Sequence, residues 1–148
     1  MGQFIHASSI HVENTQSFVE RGNDTLIAKP REFVTNVTSG YGRRKRAEEV
    51  AVERLAPMFK NGAVSLRLGG VTPSNVPLRE HKRPGLAEHE QKVWLEKDDM
   101  AQLVNLVTEH PLPELYEVVY AVSANDGRFH DTSNTFGWQP EANSKDYL

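Results

Sequence analysis

The chain has 148 residues, with 20 acidic side chains against 17 basic ones and a formal net charge of −3. That balance supplies no field for a polyanion, so nucleic acid is not an expected partner, and the absence of cysteine excludes disulfides and thiolate metal sites and fits a reducing cytoplasm. No apolar run approaches the ~18 residues of a membrane helix and the Met1 end has no signal-peptide pattern, so a cytoplasmic globular chain without a membrane partner is expected.

The first apolar run, Gln3 to Val12, contains the hydroxyls Ser8 and Ser9, as a buried parallel strand does when its C-terminal end faces a ligand crevice. Residues 13–40 are polar, with scattered Gly, Asn, Thr and Pro30, and read as a long loop with one helical turn. A helix is expected from Tyr41 to Phe59, with Val52, Leu55 and Phe59 on its apolar stripe and Pro57 ending or kinking it near Ala56. Ala63 to Gly70 reads as a second buried strand. Val71 to Val93, holding Pro73, Pro77, Pro84 and Gly85, reads as a second irregular segment. Asp98 or Asp99 is a good N-cap for a helix from Met100 to Glu109, where Met100, Leu103, Val104 and Val107 recur at helical spacing before Pro111 and Pro113 stop it. Tyr116 to Val122 is the third strand. Asp131 is expected to cap a short helix to Phe136, and the last residues to fray.

Tyr41 and Lys45 stand four apart, which places both side chains on one face of their helix. A phenol titrates near about 10, and a neighbouring ammonium favours its ionised form. Such a pair suits proton transfer during oxidation of an alcohol or reduction of a carbonyl, although two solvated helix residues show the same spacing. The basic run Arg43 to Arg46 is more simply the solvated side of that helix. The histidines show no metal-ligand spacing, so no metal site is expected, and Trp94 and Trp138 read as core or tail anchors.

Several segments fall in the order of a known superfamily. They are Ala7-Ser8-Ser9-x-His11-Val12, Tyr41-Gly-x-x-Lys45, Arg67-Leu-Gly69, Pro73 followed by Arg79, Trp94-Leu95-x-x-Asp98-Asp99, Tyr120-Ala-Val-Ser123-Ala-Asn125 and Phe136-Gly-Trp138-Gln-Pro140. Together these resemble the extended short-chain dehydrogenase/reductases, the NAD-dependent epimerase/dehydratase superfamily, and most nearly the uronate dehydrogenase-like oxidoreductases. The resemblance runs from about residue 3 to residue 147. It implies an α/β fold, the C-terminal half of a Rossmann-like doubly wound parallel sheet with a small substrate-binding part. Residues 1–148 would then be one partial domain of that superfamily. The ten glycines form no G-x-x-G-x-x-G or G-x-G-x-x-G fingerprint, so the N-terminal dinucleotide half is expected to be absent.

By the same resemblance, Tyr41 is the catalytic acid/base and Lys45 its partner and a donor to the nicotinamide ribose, so both touch the cofactor, NAD or NADP. Ser9 would hold the substrate oxygen, leaving Ser8 structural. His11 and Arg79 would bind substrate, Arg79 as a fork for a sugar carboxylate. The helix Tyr41 to Phe59 would form a homodimer contact. Against these stand the blander roles: Ser9 as a strand-end cap, His11 as packing and Arg79 as a solvated loop residue. Departures from the family pattern at Ile10, Asn14, Arg44, Gly70 and the longer stretch Glu80 to Val93 leave sugar acid, aldose or another polyol open as substrate. The expected function is that of an NAD(P)-dependent sugar or uronate oxidoreductase in truncated form. The alternative is a non-catalytic remnant or binding subunit that keeps the sugar-side fold and pairs with another chain.

Overall fold

The computed structural model describes residues 2–13, 37 and 39–148. Three strands, β1 (Phe4–Ser9), β2 (Ala63–Leu68) and β3 (Tyr116–Ala121), form one parallel sheet in the order β1-β2-β3. Phe4 lies opposite Ala63 and Ala63 opposite Tyr116, so the three strands end level. Among the described residues three α-helices accompany them: α1 (Gly40–Leu55), α2 (Leu86–Val93) and α3 (Lys97–Glu109). This is the open α/β sheet that the resemblance implied.

The two faces of the sheet carry different chemistry because side chains alternate along each strand. On one face Val64, Leu66, Val119 and Ala121 meet Leu103 and Val107 of α3, together with Leu95, Phe136 and Trp138, in a dry core. The other face lies under α1, where Val52 and Ala56 pack on Ala63, Tyr116 and Val118. That face is otherwise polar, since it presents His6 and Ser8 of β1, Ser65 and Arg67 of β2, and Tyr116 and Tyr120 of β3. Ser65 ties its neighbours together, 3.0 Å from His6 Nδ1 and accepting the Tyr116 hydroxyl proton at 2.8 Å.

Local chemistry accounts for where the expected elements shift. α1 begins at Gly40 behind the N-cap Ser39 and ends at Leu55, and Pro57 continues it only as a 3₁₀ turn, Ala56–Met58. Leu55, expected on the apolar stripe, is 48% exposed. The irregular segment Val71 to Val93 contains α2 at its end. Gly85 takes a left-handed conformation (φ 75°), after which helix formers run unbroken and Glu88 pairs with Lys92 at 3.0 Å. Glu96 caps α3, not Asp98 or Asp99: its carboxylate accepts from both of their backbone N–H groups, so the helix starts at Lys97. No helix follows Asp131; its Oδ1 accepts from the Ser133 backbone and hydroxyl, and Asn134 Oδ1 takes the N–H groups of Phe136 and Trp138, each at 3.0 Å. These side chains satisfy the backbone locally in place of a helix. The expected loop at 13–40 and the departure at Asn14 fall largely outside the described residues.

The C-terminal residues do not fray. Asp99 accepts the Ser123 hydroxyl at 2.6 Å and the backbone N–H groups of Glu141 and Ala142 at 2.9 and 3.2 Å. Trp138 Nε1 donates to the Asp99 carbonyl at 3.0 Å, and Asn125 joins Trp94 O to Ser144 N. A final 3₁₀ turn, Ser144–Tyr147, then sets the Tyr147 ring 4.9 Å from Trp94. Both tryptophans are buried anchors.

His130 is buried with no hydrogen bond to either ring nitrogen, its ring 4.7 Å from Tyr120 and 4.5 Å from Phe129. Complete burial pushes it down to about 3, with the positive charge of His89 and Arg67 adding to the effect. Below the ordinary value of 6.5 the unfolded chain takes up a proton that the fold refuses. Stability is therefore expected to fall as pH drops from about 6.5 towards 3, by at most about 1.4 kcal/mol per unit. His130→Phe, which suits the aromatic surroundings, should flatten that slope; urea unfolding at several pH values checks it.

Candidate active site

β1 ends at Ser9, and the chain leaves it through one 3₁₀ turn, Ile10–Val12. Ser9 Oγ accepts the N–H of His11 at 3.1 Å, so it caps this turn while its own hydroxyl proton remains to be donated. At α1, Ser39 Oγ accepts from Gly42 N at 2.9 Å. Gly42 is where helix and turn touch. A Cβ built on it would lie 2.1 Å from the His11 carbonyl oxygen, so only glycine permits the approach.

That approach assembles four of the five expected site residues. The Tyr41 ring stands edge-on to His11 with 6.1 Å between ring centres, and Lys45 Nζ reaches the Ala7 carbonyl at 3.0 Å. Ser9 is buried at the strand end, whereas His11 is exposed and Tyr41 is 46% exposed. Lys45 also donates to Glu48 at 2.8 Å, and Glu48 lies 3.0 Å from His6 Nε2. Hydrogen bonds from Lys45 and His6 hold the Glu48 carboxyl below the usual carboxylate range. Two of the three ammonium donors are thus committed, which fixes the Lys45 head at the end of β1.

Arg79 stands apart. It lies in the exposed loop before α2, its Nη2 3.4 Å from the Tyr147 carbonyl, and no described contact joins it to the Tyr41 group.

Below the surface lies a cluster to which sequence reasoning assigned no role. The Arg67 guanidinium grips Glu49 with two bonds, Nε to Oε1 at 3.0 Å and Nη2 to Oε2 at 2.9 Å. Its Nη1 bonds Glu13 at 2.9 Å and the Tyr120 oxygen at 3.2 Å, while Tyr120 donates to the other oxygen of Glu13. The Ser8 hydroxyl completes the set, donating to Glu49 at 2.5 Å. All five are buried. Burial holds the Glu13 carboxyl above its usual range even though Arg67 pulls the other way, and burial with Glu13 pushes the Tyr120 phenol up, so it remains a donor. A cavity of about 190 Å³ opens beside the cluster, also lined by Arg46 and Glu53. The sequence did carry a signal: an arginine within an apolar strand demands buried partners, and Glu49 lies four residues past Lys45 on the same helix face. Glu13, just before the long loop, carried none.

Among the described residues no cluster of His, Asp and Glu could hold a metal ion, and no helix is long and apolar enough to cross a membrane. A concavity of about 710 Å³ is lined by Arg128, His130, Asp131 and Gln139 among others, and by none of the Tyr41 group.

No family model and no curated protein matches the chain. Solved structures do. Uronate dehydrogenase from Agrobacterium tumefaciens superposes with a TM-score of 0.74 at 22% identity, covering 98% of this chain and 48% of its own. A tyrosine-to-alanine variant of that enzyme complexed with NAD gives 0.73, and glucuronic acid dehydrogenase from Chromohalobacter salexigens 0.75, both at 22% identity. The chain shares its fold with uronate dehydrogenases. It spans about half the length of each of them.

An ordinary helix gains up to about 1 kcal/mol when glycine becomes alanine. Gly42→Ala is expected to do the reverse, costing about 1–3 kcal/mol, because the new methyl drives α1 off the His11 carbonyl. Chemical denaturation gives the sign, and loss of Tyr41–His11 ring cross-peaks in NMR reports the displacement.

Proposed function

We propose that this chain carries the sugar-side part of an NAD(P)-dependent oxidoreductase that acts on a hydroxyl or carbonyl of a sugar or sugar acid. The observation that carries the reading is the contact at Gly42, which sets Tyr41 and Lys45 against the strand end that bears Ser9 and His11. The names of the structural neighbours, uronate and glucuronic acid dehydrogenases, one of them complexed with NAD, give the substrate class and cofactor proposed here.

In this reading Ser9 donates its remaining hydroxyl proton to the substrate oxygen, and Tyr41, open to the same side of the turn, takes the proton of the hydroxyl being oxidised. Lys45 supplies fixed positive charge beside them and a donor for the nicotinamide ribose. The bound dinucleotide contributes the hydride acceptor. The described residues fit that end of the cofactor: a half-exposed phenol and a held ammonium meet at a strand terminus, where ligands of open α/β sheets bind. No glycine fingerprint in the sequence supplies a pyrophosphate cradle. Arg79 enters as a carboxylate fork, its one described bond being the long one to Tyr147.

The chain by itself should bind NAD(H) no better than high micromolar by calorimetry. Supplied with a glycine-rich dinucleotide-binding half, in cis or in trans, it should reduce NAD(P) with a sugar or sugar acid. Tyr41→Phe should then lower turnover at least about 100-fold; unchanged turnover would remove the oxidoreductase reading. Arg79→Ala should raise KM for a uronate and leave a neutral aldose little affected, and equal effects would remove only the uronate substrate.

Assembly belongs to the same proposal. Val50, Leu55 and Met58, along and just past α1, are exposed apolar residues that support a homodimer through this helix. Sedimentation at tens of micromolar should show a dimer that Leu55→Asp dissociates.

A further inference from the structure

Neither neighbouring element alone determines how the Ser9–His11 turn faces Tyr41 and Lys45. The turn hangs from the end of β1, and its caps are local bonds, from His11 N to Ser9 Oγ and from Glu13 N to the Ile10 carbonyl. α1 meets it at the buried Gly42, under the His11 carbonyl, and through the Tyr41 ring edge-on to His11. Beneath that point, one guanidinium reaches both. Arg67 projects from β2, which carries none of the expected site residues, and binds Glu49 of α1 through Nε and Nη2. The same guanidinium binds Glu13, the residue directly after the turn, through Nη1. Glu49 shares the α1 face with Tyr41 and Lys45, and it is secured a second time by Ser8, next to Ser9 on β1. Glu13 is likewise held twice, by Arg67 and by Tyr120 of β3. Two elements separated by a long stretch of sequence therefore meet on one rigid fork.

We propose that Arg67, with Glu13 and Glu49, is the positioning device of the candidate active site, fixing the Ser9–His11 turn against the Tyr41/Lys45 face of α1. This rests on the oxidoreductase reading for its meaning in catalysis, but not for its geometry. The fork is essential. Arginine presents donors in a rigid plane that can serve two carboxylates at once, whereas a lysine ammonium is one compact point. The bonds are shielded from water, so bulk salt screens them little. The three residues touch no reacting atom in this arrangement; they act through the backbone segments that carry Ser9, His11, Tyr41 and Lys45.

The test is NMR of the chain itself, without turnover, so that failure of the oxidoreductase reading and failure of this proposal remain distinct. The reporters are the His11–Tyr41 ring cross-peaks, expected from the edge-on contact at 6.1 Å. The indole signals of Trp94 and Trp138, buried in the core and the tail, report whether the fold persists. Glu13→Gln keeps the shape and removes the charge on the turn side; it should abolish the His11–Tyr41 cross-peaks while the indole signals stay in place. Arg67→Lys keeps the charge but loses the fork and should do the same, and exposed Glu80→Gln should change neither. Should Arg67→Lys not fold, Glu13→Gln alone decides. Ring cross-peaks of unchanged intensity in a folded Glu13→Gln would overturn the proposal, even if thermal stability fell, because that is the outcome of a purely structural ion pair.

Discussion

A charged side chain in the middle of a buried parallel strand must find partners, and at Arg67 it finds them in two segments far apart in sequence. Ladder partners Ser8 and Tyr120 flank it on β1 and β3, and its guanidinium lies under α1 at 5% exposure. Leaving such a charge without one of its partners costs about 3–5 kcal/mol, so the placement of Glu49 and Glu13 is compulsory once the sheet has formed. Placing Glu49 sets the rotation of α1, and placing Glu13 ends the excursion after β1. The rest of that face follows: Ser65, Tyr116, His6 and Glu48 form a chain of hydrogen bonds that runs out to Lys45.

The opposite face works by another rule. There the sheet is apolar and α3 packs on it by ordinary burial, Leu103 and Val107 against Val64, Leu66 and Val119. At one edge Glu96, Asp99, Ser123 and Asn125 tie the start of α3, the end of β3 and the C-terminal tail together. The motif residues Trp94, Asp99, Ser123, Asn125 and Trp138 prove to be members of this one network. Their hydrogen bonds close the tail over the core.

The two faces also differ where they meet solvent. The dry face and the tail hold the larger apolar cluster, while an ammonium, a phenol and an imidazole reach the surface near the end of β1, where Ser9 is buried. Because Arg67, Glu13 and Glu49 lie buried below, the positioning proposal expects substitution at Glu13 or Arg67 to act at a distance on the Tyr41–His11 contact.

Local chemistry alone determined a good deal of this protein. Three apolar strands, the Tyr41 helix, its termination at Pro57 and the pairing of Tyr41 with Lys45 on one face all follow from periodicity and from proline's missing donor. The order of motifs pointed to an open parallel sheet, which the fold bears out. The sequence could not place α2, hidden behind Pro84-Gly85, nor choose Glu96 over Asp98 or Asp99 as the cap of α3, since three carboxylates within four residues all offer an acceptor there. Nor could it show that the tail docks, that Arg79 stands away from Tyr41, or that Glu13 and Glu49 share one guanidinium. Those are consequences of burial, which reaches across long separations. Helix spacing could put Tyr41 and Lys45 side by side, but only the packed sheet, with Gly42 against the His11 carbonyl and Arg67 beneath, could bring them to the end of β1.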